Sequence, residues 1–374
     1  MMKQKSLNIV IIGAGILGAS IAFNLAERGI KPTILDANDP GQGASRVSFA
    51  WINGRDKSPR HYHALNRRSL DMWDRFSRRL GGDVGLTWGG QLLWAATPAE
   101  AGPFNQRVKT LQSWGYPVYS LTAAELAAME PNLASGTVTA ASFSMMEGHV
   151  NTARVIQECL TRATALGAVV RPQTEVRGIQ VGADQTVEAV LVNDGEAIPC
   201  DSVVLAGGPD MAALGALVGL DVPLEYTFGA TLITEPIAPI FQETAVVYTP
   251  SDLEVQIALR QFADGSVMFL GDTAQGTLGQ TEAEIDQVIA TATTFLPALE
   301  GVQIKDIRRG RRPLPRDGHP ILGFTQAVPN LYLATMHSGI TLSALVGEMA
   351  MLEIVEGTRV DIFEPYRLER FEER

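Results

Sequence analysis

Four arginines lie within five positions near the end of the chain: Arg308, Arg309, Arg311 and Arg312, in the segment RRGRRPLPRDGHPILG. A guanidinium group stays charged at ordinary pH, and its paired N–H donors fit a carboxylate or a phosphate. Three interpretations use these charges equally well: a surface for nucleic acid, a solvated face, or a binding site for a small anion inside an enzyme.

The overall charge weighs against nucleic acid. The chain of 374 residues has a formal net charge of −11, so its field repels a phosphate backbone, and only a local patch could hold one. The two cysteines, Cys159 and Cys200, form no CxxC motif. We therefore expect no nucleic-acid partner, no metal site and no disulfide framework, and a reducing, cytoplasmic location.

A second pattern with chemical meaning lies near the start of the chain. Leu7 to Ile12 is a short apolar run that predicts a buried strand, and it leads directly into Gly13-Ala14-Gly15-Ile16-Leu17-Gly18. Small and apolar residues then recur at helical spacing as far as Gly29, and a second strand covers Pro32 to Leu35. Glycines and Asn24 interrupt the apolar stretch, so we expect a strand–helix–strand unit and no transmembrane segment.

Binding of a dinucleotide would explain the residue type at each key position of this unit. Gly13 permits the tight turn, Gly15 lets a pyrophosphate approach the backbone, and Gly18 lets the helix pack closely on the sheet. The amide groups at the start of the helix favour phosphate. Asp36, at the end of the second strand, is placed to accept hydrogen bonds from an adenosine ribose.

The remaining chain alternates helical and strand-like patterns. Tyr62 to Leu80 predicts an amphipathic helix, and residues 147–170 predict another, capped by Asn151 or Thr152 and followed by a strand. Residues 223–307 contain short β-rich segments separated by turns, which is typical of an antiparallel sheet. The sequence therefore predicts an α/β protein, α+β overall, with a second sheet region for the substrate.

Three segments carry a family resemblance. ANDPGQGASRVSFAWING follows the second strand, RPLPRDGHPILG follows the arginines, and NLYLATMHSGITLSALVGEMAMLEIV lies near the end of the chain. Together with the glycine loop they resemble the D-amino-acid oxidase, glycine oxidase and sarcosine oxidase family of FAD-dependent oxidoreductases. The resemblance extends over nearly the whole chain, although residues 223–307 match in pattern only.

The resemblance implies that the dinucleotide-binding domain is interrupted. We expect a discontinuous Rossmann-like FAD-binding domain of residues 1–85, 144–222 and 312–374. The second, mainly antiparallel β-sheet substrate domain would comprise residues 86–143 and 223–311.

The resemblance also names the residues expected to contact FAD. They are Gly13, Gly15, Ile16, Leu17, Gly18, Asp36, Ala37, Gly43, Ala44, Ser45, Ser48, Val176, Gly207, Gly339, Ile340 and Thr341. No cysteine lies near the arginine segment, where some sarcosine-type relatives attach the flavin, so we expect noncovalent FAD.

By the same resemblance, Arg312 occupies the position of an arginine that pairs with the substrate carboxylate, and its three neighbours are expected in surface or structural ion pairs. His337 and Trp51 are expected to line the substrate pocket, and so is Gln256. Each of these three also fits an ordinary structural role.

The implied reaction is oxidation of an amino acid or an N-substituted amino acid at its C–N bond. Hydride transfer to flavin N5 would give an imine, which hydrolyses to an oxo acid and an amine or ammonia. Residues 223–304 contain no lysine of the kind that sarcosine-type oxidases use to activate oxygen, so the acceptor is either oxygen or another oxidant. A 2-hydroxy-acid oxidase remains an alternative, as does the FAD subunit of a multimeric opine or amino-acid dehydrogenase. The chain could also form a homo-oligomer.

Overall fold

The computed structural model describes residues 7–193, 195–274 and 276–372. The α-helices in these ranges are α1 Ile16–Glu27, α2 Ala44–Val47, α3 Arg60–Leu80, α4 Pro98–Ser113, α5 Ala123–Met129, α6 Thr152–Ala165, α7 Met211–Ala216, α8 Glu282–Phe295 and α9 Gly339–Glu356. None of these described helices combines the length and apolar character needed to cross a lipid bilayer. The cytoplasmic location stays a prediction.

The strands of the same ranges are β1 Ile9–Ile12, β2 Thr33–Leu35, β3 Trp51–Ile52, β4 Thr87–Trp88, β5 Gln91–Ala95, β6 Val118–Leu121, β7 Ala140–Ser144, β8 Gly148–His149, β9 Val169–Arg171, β10 Val176–Val181, β11 Val187–Val192, β12 Glu196–Pro199, β13 Ser202–Leu205, β14 Leu224–Thr234, β15 Val246–Tyr248, β16 Gln256–Gln261, β17 Val267–Thr273, β18 Gly276–Thr277, β19 Ile304–Pro315, β20 Ile321–Phe324 and β21 Leu331–Thr335.

A six-stranded sheet carries the glycine loop. Its order is β20–β21–β13–β1–β2–β9, with β20 antiparallel to β21 and the other neighbours parallel. All four residues of β1 are buried, because both faces of this sheet are covered. Helices α1, α3, α6 and α9 share one apolar cluster with it, and the three-stranded antiparallel sheet β10–β11–β12 shares the other.

The second large sheet has nine strands in the order β19–β14–β17–β16–β15–β5–β7–β6, with β18 paired to β17. Its pairs are antiparallel except for β15 and β5. Helix α8 packs its apolar side into the core of this sheet. The predicted fold class, an α/β protein with a mainly antiparallel second sheet, is confirmed, whereas the exact domain boundaries stay predictions.

The arginine segment forms the end of β19, which pairs with β14 so that Arg312 lies opposite Thr227. Successive side chains of a strand point to opposite faces. Accordingly, Arg308 and Arg312 are half-buried, and Arg309 and Arg311 are exposed. Only residues 316–320 separate β19 from β20, so the arginines lie next to the point where the chain passes from one large sheet to the other.

Candidate cofactor and substrate site

The glycine loop has room only for glycine at its two critical positions. Gly13 has a φ of +106°, and a Cβ there would lie 2.4 Å from the carbonyl oxygen of Ala206. A Cβ on Gly18 would lie 1.9 Å from the carbonyl oxygen of Gly13. The turn and the close approach of α1 to the sheet therefore both depend on the missing side chains.

Asp36 joins the end of β2 to this loop. Its carboxylate accepts hydrogen bonds from the amides of Ala14 and Asn38, at 2.8 and 2.9 Å. Burial raises the pKa of Asp36, and these two amides oppose the increase. A carboxylate has more acceptor sites than two amides use, so it can also accept from the hydroxyl groups of a ribose.

Ser45, at the start of α2, faces the first turn of α1. Its hydroxyl accepts from the amide of Ile16 at 3.1 Å, and a Cβ on Gly15 would come within 3.2 Å of the same oxygen. The segment after β2 therefore lies directly over the amino terminus of α1, where backbone amides favour an anion.

One cavity of about 800 Å³ connects these features. It opens at the carboxyl ends of β1, β2, β13 and β21, where open α/β sheets bind their ligands. Of the residues expected at FAD, the cavity is lined by Gly13, Gly15, Ile16, Leu17, Asp36, Ala37, Gly43, Ala44, Ser45, Ser48, Val176, Gly207, Gly339, Ile340 and Thr341. Gly18 does not line it, because it lies underneath the loop against Gly13.

The first turn of α9 is fixed at the far end of this cavity. The carbonyl of Thr341 accepts from Ser69 Oγ at 2.6 Å and from Trp73 Nε1 at 3.0 Å. The hydroxyl of Thr341 donates to the carbonyl of Trp51 at 3.1 Å and accepts from the amide of Asn53 at 3.2 Å. The helix terminus is therefore held rigidly by α3 and β3, and its dipole favours negative charge nearby.

Arg309, Arg311 and Arg312 all line this cavity, and Arg312 differs from its three neighbours in its partners. Arg308 pairs with Asp306, Arg309 with Glu282 and Arg311 with Asp210, at 2.7, 2.9 and 3.0 Å. Arg312 donates to Thr277 Oγ1 at 2.9 Å, and no carboxylate of the described residues forms an ion pair with it. Its guanidinium is thus left available for an anion in the cavity.

His337 and Trp51 also line the cavity. The surface of His337 that solvent reaches faces the cavity, and protein surrounds the rest of the residue. Burial within the protein, together with the cations Lys57 and Arg312, lowers its pKa to about 4, so it is neutral at pH 7. Trp51 packs against Tyr248 with ring centroids 4.8 Å apart, and its buried Nε1 has no hydrogen-bond partner among the described residues.

Gln256 is not brought to the cavity. Its side-chain amide donates to the carbonyl of Thr249 at 2.7 Å, within the sheet to which β16 belongs. A strand register that is wrong by one residue exchanges the two faces of the sheet, and the loose pattern match of residues 223–307 could not fix that register.

Sequence reasoning missed several charged or polar residues of the cavity, among them Lys57, Tyr248 and Asp272. Lys57 follows the segment that resembles the flavin site of the family, and proximity in sequence was its only signal. Tyr248 and Asp272 lie in β15 and β17, and nothing in the apolar pattern of these strands distinguishes them from structural residues.

The residues present fit FAD. A bare backbone at Gly13 and Gly15, the free acceptor sites of Asp36 and the amides at the start of α1 suit a ribose and a pyrophosphate. The cavity continues past Trp51, with its unpartnered Nε1, to the first turn of α9. Its lining therefore extends from the residues expected at the adenosine ribose to those expected at the flavin.

Comparison with known proteins leads to the same cofactor. Residues 8–351 match the family described as DAO, FAD dependent oxidoreductase. The chain belongs to this family. It is therefore an FAD-dependent oxidoreductase, as the sequence predicted. Noncovalent attachment stays a prediction, and neither of the two cysteines is among the residues that line the cavity.

Two relatives and one solved structure resemble the oxidoreductase over 93% or more of their length. A subunit of the opine oxidase of Agrobacterium tumefaciens (strain Ach5) is 28% identical over 382 residues, covering 98% of each chain. Glycine oxidase of Geobacillus kaustophilus (strain HTA426) is 27% identical over 360 residues, covering 93% of each. The crystal structure of L-proline dehydrogenase from P. horikoshii superposes with a TM-score of 0.85 over the whole of both chains, at 25% identity.

Proposed function

We propose that the oxidoreductase oxidises the C–N bond of a small amino acid or N-substituted amino acid to an imine, which water converts to an oxo acid and an amine or ammonia. The observation that carries this proposal is Arg312. Its guanidinium has no carboxylate partner among the described residues, and it shares a cavity with the FAD-binding loop. The carboxylate group common to amino acids is the complementary anion.

The side chains around Arg312 orient such a substrate. Arg312 binds its carboxylate through two parallel hydrogen bonds, and the paired rings of Trp51 and Tyr248 form an apolar wall of the same cavity. His337, neutral because its pKa is about 4, adds no further positive charge. Orientation of this kind supplies a large part of the rate enhancement when no acid–base group is required.

When bound, FAD supplies the acceptor for the hydride that leaves the α-carbon. A neutral amine that has given up a hydride is already an iminium ion, so no side chain has to remove a proton in that step. The cationic groups of Arg312 and Lys57 lie in the same cavity, and positive charge favours the neutral amine over ammonium. The amides at the start of α9 stabilise negative charge that develops beside them.

A second candidate is the FAD subunit of a hetero-oligomeric dehydrogenase that passes its electrons to a partner. The similarity to the opine oxidase subunit over 98% of both chains favours it. The substrate chemistry is the same in both candidates, and only the electron acceptor differs. A 2-hydroxy acid would use Arg312 in the same way and must therefore be tested as a substrate.

The first experiment is anaerobic mixing of the purified holoprotein with D- and L-amino acids, N-methyl amino acids, N-carboxyalkyl amino acids and 2-hydroxy acids, while the flavin absorbance is followed. Bleaching by amines supports the proposal, and bleaching by hydroxy acids alone contradicts it. Admitting air then separates the acceptors. Rapid reoxidation indicates an oxidase, whereas slow reoxidation that an artificial dye accelerates indicates a dehydrogenase.

Arg312→Lys tests the carboxylate site. The variant keeps the charge but loses the two parallel N–H donors of the guanidinium group. We expect kcat/KM to fall about 30-fold or more, since a lost partner of a charge pair costs on the order of 2–5 kcal/mol. FAD content should not change. Arg309→Lys is the matched control, because Arg309 is exposed and already paired with Glu282. Equal kinetics in the two variants would refute the role of Arg312.

A further inference from the structure

A second cationic side chain reaches the substrate end of the cavity. Lys57 lies in the loop between β3 and α3, is half-buried, and lines the same cavity as Arg312. Its ammonium donates to the hydroxyl of Ser338 at 2.9 Å. Ser338 directly precedes α9 and also accepts from the hydroxyl of Tyr62 at 2.9 Å, so Lys57 is held against the start of this helix.

Lys57 has no carboxylate at ion-pairing distance among the described residues. Asp56 and Glu147 act on it only at longer range, and burial outweighs them, which lowers the pKa of Lys57. Glu147 is itself a weak counter-charge. Burial raises the pKa of Glu147 to about 7. Its Oε1 accepts hydrogen bonds from the hydroxyl of Tyr116 at 2.7 Å and from the amide of Arg55 at 3.0 Å.

Lys57 and Arg312, which both lack a carboxylate partner among the described residues, both act on His337. His337 lies close enough to both Lys57 and Arg312 for each to disfavour its protonation. Lys57 is hydrogen-bonded to Ser338, the neighbour of His337 in the chain. Lys57, His337 and Arg312 all line the cavity, so both cations lie near His337. A ligand with a single carboxylate satisfies one of them and leaves the other partly buried without an anion, which is unfavourable.

We propose that Lys57 binds a second carboxylate of the substrate, so that the preferred substrate is a secondary amine with two carboxylates, an N-(carboxyalkyl) amino acid. This inference rests on the proposed function. One carboxylate pairs with Arg312 and the other with Lys57, and the amine nitrogen that joins the two arms lies between the two cations. The second arm requires a substituent on nitrogen that itself ends in a carboxylate, and a simple amino acid or its N-methyl derivative has none.

The test compares N-(carboxymethyl)alanine with N-methylalanine, two secondary amines that differ in the second carboxylate. We expect the wild-type enzyme to show the higher kcat/KM with the dicarboxylate. Lys57→Met should lower kcat/KM for the dicarboxylate about 30-fold or more, because one partner of a charge pair is removed, and should change N-methylalanine little. Lys57→Arg should retain most of the preference, and Lys109→Met, at an exposed lysine in α4, is the matched control.

Binding provides a readout that is independent of turnover. Thiodiacetate has two carboxylates but a sulfur in place of the amine, so it cannot form an imine. We expect it to perturb the flavin spectrum of the wild type at lower concentration than methylthioacetate, and expect Lys57→Met to remove this difference. FAD content, measured on each variant, shows whether Lys57 acts on the substrate or on the cofactor.

The outcomes separate this inference from the proposed function. Oxidation of N-methylalanine with no preference for the dicarboxylate, or an equal loss for both substrates in Lys57→Met, overturns the role of Lys57 and leaves amine oxidation intact. A loss of FAD from Lys57→Met with Lys57→Arg unaffected assigns the charge to the cofactor and also overturns it. Failure of every amine to bleach the flavin contradicts the proposed function itself.

Discussion

Asp36 connects two parts of the cofactor site through a single carboxylate. It binds the amides of Ala14 and Asn38, and we expect it to bind the adenosine ribose as well. Asp36→Ala should weaken FAD binding about 10- to 100-fold, the effect of losing hydrogen bonds to a charged group. Titration of the apoprotein with FAD measures it. Asp39→Ala removes an exposed carboxylate nearby, and an equally large effect there would rule out a specific role for Asp36.

Glu147 makes stability depend on pH. Its carboxyl is fully buried, one of its oxygens has no hydrogen-bond partner among the described residues, and burial raises its pKa from 4.5 to about 7. The folded state therefore binds more protons than the unfolded state between these values, and stability falls as pH rises through this window. Each pKa unit corresponds to about 1.4 kcal/mol, so the free energy of unfolding is lower by on the order of 3 kcal/mol above pH 7.

Glu147→Gln tests this pH dependence. The amide oxygen can still accept from Tyr116 and from the amide of Arg55, but no charge is buried. We expect the variant and the wild type to have similar free energies of unfolding near pH 4.5, and the variant to be more stable at pH 8, as measured by urea denaturation. Glu254→Gln, on the surface, reports the effect of removing one exposed carboxylate. A constant difference across the pH range would contradict burial of an ionised Glu147.

Among single residues, those that bind the cofactor could be predicted from the sequence, and Lys57 could not. The cofactor residues form a local motif, in which the strand, the three glycines and Asp36 follow one another within 28 positions, from Ile9 to Asp36, and their spacing carries the information. Lys57 could not be placed in this way. Its position in the cavity depends on Ser338, 281 residues further along the chain, and no local pattern records such a contact.

At the scale of elements, the packing of α1 against α9 depends on Gly347. A Cβ at this position would lie 2.1 Å from Ser20 Oγ, 2.7 Å from Asn24 Nδ2 and 2.9 Å from the Ser20 carbonyl oxygen. Ser20 Oγ also donates to the carbonyl of Ser343 at 2.8 Å. Gly347→Ala should therefore destabilise the protein by about 1–3 kcal/mol, as overpacking does in other cores. Denaturation of the holoprotein measures the change in the free energy of unfolding.

A double-mutant cycle with Ser20→Ala identifies the contact responsible. Ser20→Ala alone should destabilise the protein by about 1 kcal/mol through its lost hydrogen bond. Together with Gly347→Ala it should give less than the sum of the single effects, because the hydroxyl that clashes is gone. Strict additivity would show that the clash is with some other atom.

Element types were easier to predict than their partners. The helix from residue 152 has Asn151 as its cap, with the side chain accepting from the amide of Arg154, as one of the two expected caps. The arginine segment, by contrast, lacks the alternation of apolar and polar residues that predicts a strand. In a strand its arginines lie on both faces. Its strand character comes from pairing with β14 over the whole of its length, a partner about 80 residues away in sequence.

At the scale of the whole molecule, the site lies between the two large sheets. The six-stranded sheet supplies the glycine loop and the turn before α9, and β19 and β17 of the nine-stranded sheet supply Arg312 and Asp272. The cofactor end of the cavity is therefore made by the sheet whose pattern is most regular in sequence. The substrate end depends on strand register, which explains why FAD was easier to predict than the residues around the substrate.

The order of strands in the six-stranded sheet also has a consequence for biosynthesis. Strand β1 pairs with β13, and β13 pairs with β21, so the ribosome produces the glycine loop well before its partner turn at residues 336–341. The contact between Ser20 and Ser343 spans 323 residues. We therefore expect FAD to bind only after residues 336–341 have been synthesised and have folded against the glycine loop.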